Sequence, residues 1–257
     1  MLTVISSLTN KLIKETKLLK NKSKRTEAGL YLAEGENVVQ EAIMYKPDDI
    51  KCIFLTEKFK DRIDNEIFDV YLVPDYIMES LSDTKSPQGI TAIMRYPENF
   101  VSFEDTDIAV YLDNVSDPGN VGTIIRTADA AGINTVILSP ECADVLSPKV
   151  IRSTMGSCFH INIVKESQHL DYLKEFIKNN FVAIAGELNA TNFHYDVDLR
   201  SKVVICLGNE AHGLSDELLN CKGVLPVKIP IHGKAESLNV AIAGAILMYE
   251  ALRQRGV

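Results

Sequence analysis

Between residues 108 and 207, short apolar runs alternate with stretches of helical periodicity, and this alternation constrains the fold more than any other feature. The runs at 108–112, 135–138, 160–164, 181–185 and 203–207 are nearly continuous in aliphatic residues. A strand with one wet face would alternate apolar and polar residues; runs like these must be covered on both faces. Segments near 120–131, 169–179, 214–219 and 236–253 read as the covering helices, and 225–229 as a further short extended piece. The implied fold is α/β: a parallel sheet in a three-layer domain. Its ligand site is expected where such sheets carry one, at the carboxyl ends of the strands.

The chain upstream reads as a smaller α/β unit. Residues 8–19 form a short amphipathic helix, 30–32 a strand, and 36–45 a helix that ends before Pro47. Strands follow at 50–55 and 70–73, a helix runs from Pro74 to about Leu81, 82–89 is a loop, and 90–94 a strand. The polar stretch 95–107, interrupted by Pro97, is the linker, so the domains are 1–96 and 107–257.

The net charge of -8 argues against a protein that coats nucleic acid without selectivity. Locally the balance reverses. Lys11, Lys14, Lys17, Lys20, Lys22, Lys24 and Arg25 stand against the single acid Glu15. That asymmetry suits contact with nucleic acid, and a solvated helix face is its plain alternative. Cys52, Cys142, Cys158, Cys206 and Cys221 are scattered and lack zinc spacing, so no metal is expected. They read as small buried hydrophobes in a reducing compartment, and the cytoplasm is the expected location. No apolar run approaches the ~20 residues of a membrane span. The first residues show no basic segment ahead of an apolar one and are not read as a secretory leader.

Three segments carry candidate chemistry. In the first, a strand ends at Asp113-Asn114 and a turn leads into a helix beginning near Val121, with Asn120 at its start and Arg126 within it. A strand-end loop feeding a helix N-terminus suits a polar ligand. The GxGxxG and Walker patterns are both absent. Asn120 could be a simple helix cap and Arg126 a surface ion-pair partner. In the second, a buried strand runs through Leu207 into Gly208, Asn209, Glu210 and Gly213, where glycines let the backbone approach a ligand. In the third, Ile229-Pro230-Ile231 is extended and Ser237 caps a long helix, apolar on nearly all sides and therefore buried. Its small residues Ala241, Ala243, Gly244 and Ala245 permit close approach of its own sheet or of a second copy. Asn239 near its first turn is an amide that needs partners, which a ligand could supply.

Taken together, these segments resemble the three motifs of the SpoU-type branch of SPOUT RNA methyltransferases. Asn120-x-Gly122-x-x-x-Arg126-x-Ala128 is similar to the first, Leu207-Gly208-Asn209-Glu210-x-x-Gly213-Leu214 to the second, and Ile229-Pro230-Ile231 with Ser237-Leu238-Asn239-Val240 to the third. Ala211 and Ala241 depart from the usual glycine and serine. Lys24-Arg25 followed by Gly29-Leu30-Tyr31-Leu32-Ala33-Glu34-Gly35 resembles the L30e-like substrate-binding domain that often precedes this catalytic domain.

The resemblance implies a trefoil knot in the C-terminal domain, a homodimer, and S-adenosylmethionine bound by Leu207, Gly208, Asn209, Gly213, Ile229, Pro230, Ile231 and Leu238. It implies a site built from Arg126, Asn120, Glu210, Ser237 and Asn239, and RNA contacts from Lys24, Arg25, Lys149, Arg152 and Ser153. The expected reaction is methyl transfer to a ribose 2′-hydroxyl of RNA, with ribosomal RNA preferred to transfer RNA. Arg126 activates the hydroxyl in the family. A guanidinium is a poor base, so orienting the substrate and stabilising the developing alkoxide is the alternative role. The competing readings are a non-catalytic RNA-binding or ribosome-assembly factor on the same fold, and a nicotinamide-dependent oxidoreductase of similar layering.

Overall fold

The computed structural model describes residues 2–98 and 100–256; the outermost positions of the two expected domains, Met1 and Val257, lie outside them. The chain forms two compact units. The first takes the chain up to Glu98 together with Asp144–Phe159; the second resumes at His160 and includes the segment that ends at Ala143.

In the first unit, β1 (Leu2–Val4), α1 (Lys11–Leu18), α2 (Lys22–Ala28), β2 (Leu30–Glu34), α3 (Glu36–Tyr45), β3 (Ile50–Leu55), β4 (Val70–Leu72), α4 (Asp75–Leu81) and β5 (Ile90–Arg95) follow in order. Their sheet has the order β1-β4-β3-β5-β2. β4 runs parallel to β1 and β3, while β5 is antiparallel to β2 and β3. Both sheet faces are covered: Val38, Val39 and Ala42 of α3 pack on one side, and Ile13 of α1 with Ile77, Met78 and Leu81 of α4 on the other.

In the second unit, β6 (Ile108–Leu112), α5 (Pro118–Ala130) and β7 (Thr135–Leu138) come first. The chain then visits the first unit with α6 (Pro148–Thr154), and returns with β8 (Asn162–Lys165), α7 (Asp171–Lys178), β9 (Val182–Gly186), β10 (Asn192–Phe193), β11 (Val203–Leu207), α8 (Asp216–Leu219), β12 (Val224–Lys228) and α9 (Val240–Gln254). The sheet is wholly parallel, in the order β10-β12-β9-β11-β6-β7-β8. β6 and β11 lie side by side near its middle, and every residue of both is buried, as their unbroken apolar runs require.

Helix boundaries differ from the sequence reading at two places that matter. α5 starts at Pro118, not near Val121: Asp117 is the cap, accepting the Asn120 N–H at 2.9 Å, and Pro118 tolerates the first turn. Asn120 therefore sits inside the first turn. α9 starts at Val240, capped by Asn239 rather than Ser237, because the Asn239 carboxamide oxygen accepts the N–H groups of Ala241 and Ile242.

α9 is also less buried than its composition suggests. Ala241, Gly244, Leu247, Met248 and Ala251 face inward, but Ile242 and Tyr249 are about half exposed. At Gly244 the helix meets the sheet so closely that a Cβ would lie 2.6 Å from Leu207 Cδ1. The helix α6 was not anticipated, although Ser147-Pro148 is a helix-start signal: Ser147 caps it through Val150 N–H.

Candidate active site

The adjacent carboxyl ends of β6 and β11 launch two loops that meet. Asp113 N–H donates to Leu207 O at 2.8 Å as the strands end. Beyond β11 the chain folds on itself: Asn209 and Gly213 exchange backbone hydrogen bonds of 2.8 and 2.9 Å. The Asn209 side-chain oxygen accepts from Ala211 and His212 N–H, and its Nδ2 donates to Asn114 O at 2.8 Å. Two glycines are required. Gly213 has φ +72°, and a Cβ on Gly208 would stand 2.4 Å from the Gly213 carbonyl carbon and the Leu214 nitrogen.

Glu210 projects from this turn toward the start of α5. It accepts from Ser116 N–H at 3.3 Å, Asp117 N–H at 3.2 Å and Asn120 Nδ2 at 2.8 Å. Partial burial pushes its carboxyl up, but the Asn120 amide and the backbone donors outweigh that and hold it below the ordinary value. Asn120 is oriented from its other end, because Asn239 Nδ2 donates to its Oδ1 at 2.9 Å. All three motif segments thus converge in one hydrogen-bonded row, Glu210–Asn120–Asn239. The Asn239 amide is exposed, not buried as expected, and Asn120 supplies the partner it needed. Arg126, farther along α5, is exposed and has no hydrogen-bond or ion-pair partner among the described residues.

Beside this row lies a cavity of about 520 Å³. Seven of the residues expected at the cofactor line it: Leu207, Gly208, Asn209, Gly213, Ile229, Ile231 and Leu238; Pro230 does not. Of the expected catalytic residues, Glu210, Ser237 and Asn239 line it, while Asn120 and Arg126 stand outside. Gly186, Glu187 and Leu188, at the end of β9, also line it, as does His212. The strand-end rule would have pointed to β9 as well.

The cavity fits a cofactor with a flat apolar base and a polar tail. Its volume lies in the usual range for small-molecule sites. Val227, Ile229, Ile231 and Leu238 offer apolar surface, Glu187 and Glu236 offer charge, and the missing Cβ of Gly208 leaves the loop backbone closely packed at the wall. Among the described residues no cluster of His, Cys, Asp or Glu could hold a metal ion, and no helix is long and apolar enough to cross a membrane.

The five residues expected at RNA all fall in the first unit, although 24–25 and 149–153 are far apart in sequence. Lys24 is exposed and pairs with Glu27 at 2.7 Å, and Lys149 is exposed on α6. Ser153 Oγ donates to Lys149 O at 2.8 Å, and Arg152 is held by the buried Glu34 at 2.8 Å. Arg25 must leave the set. Its side chain is 3% exposed, with Nη1 donating to Leu19 O and Lys20 O at 2.8 Å each and Nη2 paired to Asp144. It holds the unit together and has no surface to offer a phosphate.

Comparison with known proteins agrees with this geometry. Residues 107–249 match the family described as the SpoU rRNA Methylase family, and residues 10–92 match the MRM3-like substrate binding domain. The 23S rRNA (guanosine(2553)-2′-O)-methyltransferase RlmP of Bacillus subtilis (strain 168) is 34% identical over 247 residues, covering 95% of this chain and 97% of that protein. The 23S rRNA (uridine(2479)-2′-O)-methyltransferase of Streptomyces viridochromogenes is 28% identical, covering 93% and 88%. The AdoMet-bound rRNA methyltransferase from Sinorhizobium meliloti superposes with a TM-score of 0.82 at 32% identity, over 98% of each chain.

Proposed function

The chain belongs to the SpoU rRNA methylase family, and from that premise we propose that it transfers the methyl group of S-adenosylmethionine to a ribose 2′-hydroxyl of ribosomal RNA. One observation carries the assignment: residues from all three motif segments meet in the Glu210–Asn120–Asn239 row beside a cavity suited to the cofactor. When bound, the cofactor supplies an electrophilic methyl on a sulfonium. The remaining work falls to the chain. It must hold the hydroxyl in line with that methyl, which accounts for much of the acceleration in such reactions.

Arg126 is free to meet the substrate. A guanidinium is a poor base, so Arg126 serves by fixing a phosphate or the hydroxyl and by stabilising the alkoxide that develops as the hydroxyl proton leaves to water. Glu210 stays ionised at neutral pH and holds the Asn120 amide, and Asn239 fixes the other face of that amide. Ser237, Leu238 and the 207–213 turn shape the cofactor wall.

We assign RNA binding to residues 1–96 and methyl transfer to 107–257, with α6 adding Lys149 to the RNA surface. Exposed Lys14, Lys22 and Lys24 support that surface. The exposed apolar residues Ile242 and Tyr249 on α9 support a homodimer. The return of α9 onto β11 and α5 after β12, on the far side of β9, supports a C-terminal knot. A cytoplasmic location accords with a ribosomal substrate. Both named relatives act on 23S rRNA, so that RNA is the first substrate to try. The test is transfer of labelled methyl to unmodified 23S rRNA, transfer RNA and ribosomal particles, with Arg126→Ala as control. Ribose label on 23S rRNA that the variant loses is expected; label confined to transfer RNA would overturn the substrate.

A further inference from the structure

Asp113, at the end of β6, is fully buried. A buried carboxylate needs partners, and it has two kinds. Its Oδ2 accepts Ser215 N–H at 2.7 Å, and its Oδ1 lies 2.8 Å from His169 Nε2. The other ring nitrogen, Nδ1, lies 3.1 Å from Glu217 Oε2. A ring set between two carboxylates bonds both only as an imidazolium. The neutral ring has one N–H and would turn a lone pair on the second carboxylate. Burial works against that charge, but Asp113 and Glu217 outweigh it and raise the ring's pKa above its ordinary 6.5. Glu166 is the third carboxylate that feels the ring's charge.

The backbone next to the ring is strained. Leu170, which follows it, has φ +67°, a left-handed conformation costly for a leucine. Glu166 holds it there: its Oε1 accepts Leu170 N–H at 2.8 Å, its Oε2 accepts Tyr172 N–H at 3.1 Å, and the Tyr111 hydroxyl donates to the same carboxylate. Such strain persists only where the surroundings over-determine it.

What the ring ties together is the cofactor cavity. Ser215 directly follows the 208–214 turn and caps α8, which carries Glu217. Asp113 directly precedes the loop whose Ser116 and Asp117 N–H groups hold Glu210. His169, Asp113 and Glu217 do not themselves line the cavity.

We propose that His169 is a positioning residue for the methyl-donor cavity: charged, it links Asp113 to Glu217 and so fixes the downstream end of the 208–214 turn. The inference rests on the methyltransferase reading. A raised histidine pKa means that the link is complete below the ordinary histidine value and is lost as pH rises through the raised one.

The test uses the full chain, with S-adenosylhomocysteine as probe. Its affinity is measured by calorimetry from about pH 6 to about pH 9 for wild type, His169→Gln and Glu217→Gln. The Ser215 amide and the His169 ring are followed by NMR without ligand. At low pH, His169→Gln should bind about tenfold more weakly than wild type, within the usual range of such couplings; at high pH the two should converge. The Ser215 amide shift should titrate with the ring, and Glu217→Gln should lower the titration midpoint. Parallel affinity profiles for wild type and His169→Gln, with only a lower melting temperature in the variant, would overturn the proposal. If wild type binds no S-adenosylhomocysteine, the cofactor reading fails, and the Ser215 titration alone decides the link.

Discussion

Asn239 donates its amide N–H to the Asn120 side-chain oxygen at 2.9 Å, joining positions 119 residues apart. The same Asn239 caps α9 through its own oxygen, so one side chain both starts the helix and orients the site. The two roles can be separated. Asn239→Ala loses the cap, which costs about 1 kcal/mol and lowers the melting temperature by about 2–4 °C. Asn239→Asp keeps the cap but sets a carboxylate against the Asn120 oxygen. Its melting temperature should match wild type while methyl transfer falls at least about tenfold. Full activity in Asn239→Asp would show that the contact with Asn120 is dispensable.

Arg126 should behave in the opposite way to a structural arginine. It is exposed and has no partner among the described residues, so Arg126→Ala should change stability by less than about 0.5 kcal/mol. Loss of charge stabilisation at the reacting oxygen should cut methyl transfer by about a hundredfold or more. Steady-state transfer to RNA alongside a denaturant melt measures both. A variant that is active but unstable would return Arg126 to the scaffold.

The carboxyl ends of β6 and β11 were legible because their apolar runs are unbroken and end abruptly in polar residues. The start of α9 was not. Ser237 and Asn239 are both capping residues, and only the fold decides which begins the helix. The lysine-rich stretch hid a different residue. Composition counts Arg25 with its neighbours, but helix phase turns it inward to Asp144, 119 positions away. His169 gave no signal at all: its partners lie 56 and 48 residues distant, and a single histidine in a loop has no spacing to read.

At Gly208 the prediction is steric. Gly208→Ala places a Cβ against backbone atoms at 2.4 Å, and backbone cannot swing aside as a side chain can. The 208–214 turn must shift, so affinity for S-adenosylhomocysteine should fall at least about tenfold, with a stability loss of about 1–3 kcal/mol. Gly233→Ala is the control, since a Cβ there meets nothing within 4 Å. Calorimetry on both variants distinguishes steric exclusion from a general effect of removing glycine.

Glu210 sets the acid limit of the site. Its folded-state pKa is lowered, so the stability it lends is present above the ordinary carboxylate value of 4.5 and lost as pH falls through the lowered one. Glu210→Gln cannot titrate. The difference in melting temperature between wild type and variant should therefore persist through neutral pH and shrink once pH falls below that ordinary value. A difference that grows with acidity would mean that Glu210 folds in its protonated form.

Arg25 and Lys24 are sequence neighbours with opposite assignments, and parallel variants separate them. Arg25 is buried against two carbonyls and Asp144, whose side chain is 23% exposed. Arg25→Ala leaves both carbonyls without their donor and the Asp144 carboxylate with only the Leu146 N–H at 3.2 Å. The loss should be about 3 kcal/mol, the low end for a broken buried pair, because water still reaches Asp144. Asp144→Ala should also destabilise. The double variant should lose less than the sum of the two, because each single change already breaks the same pair. RNA affinity per folded molecule should not change in any of the three. Lys24 reverses the pattern: Lys24→Ala should leave the melt untouched and lower the dependence of log affinity on log salt by about one unit, the mark of one lost phosphate contact. Filter binding of 23S rRNA over a salt series, run beside the melts, measures both. An Arg25→Ala protein that melts normally yet binds RNA with a reduced salt slope would put Arg25 back on the RNA surface.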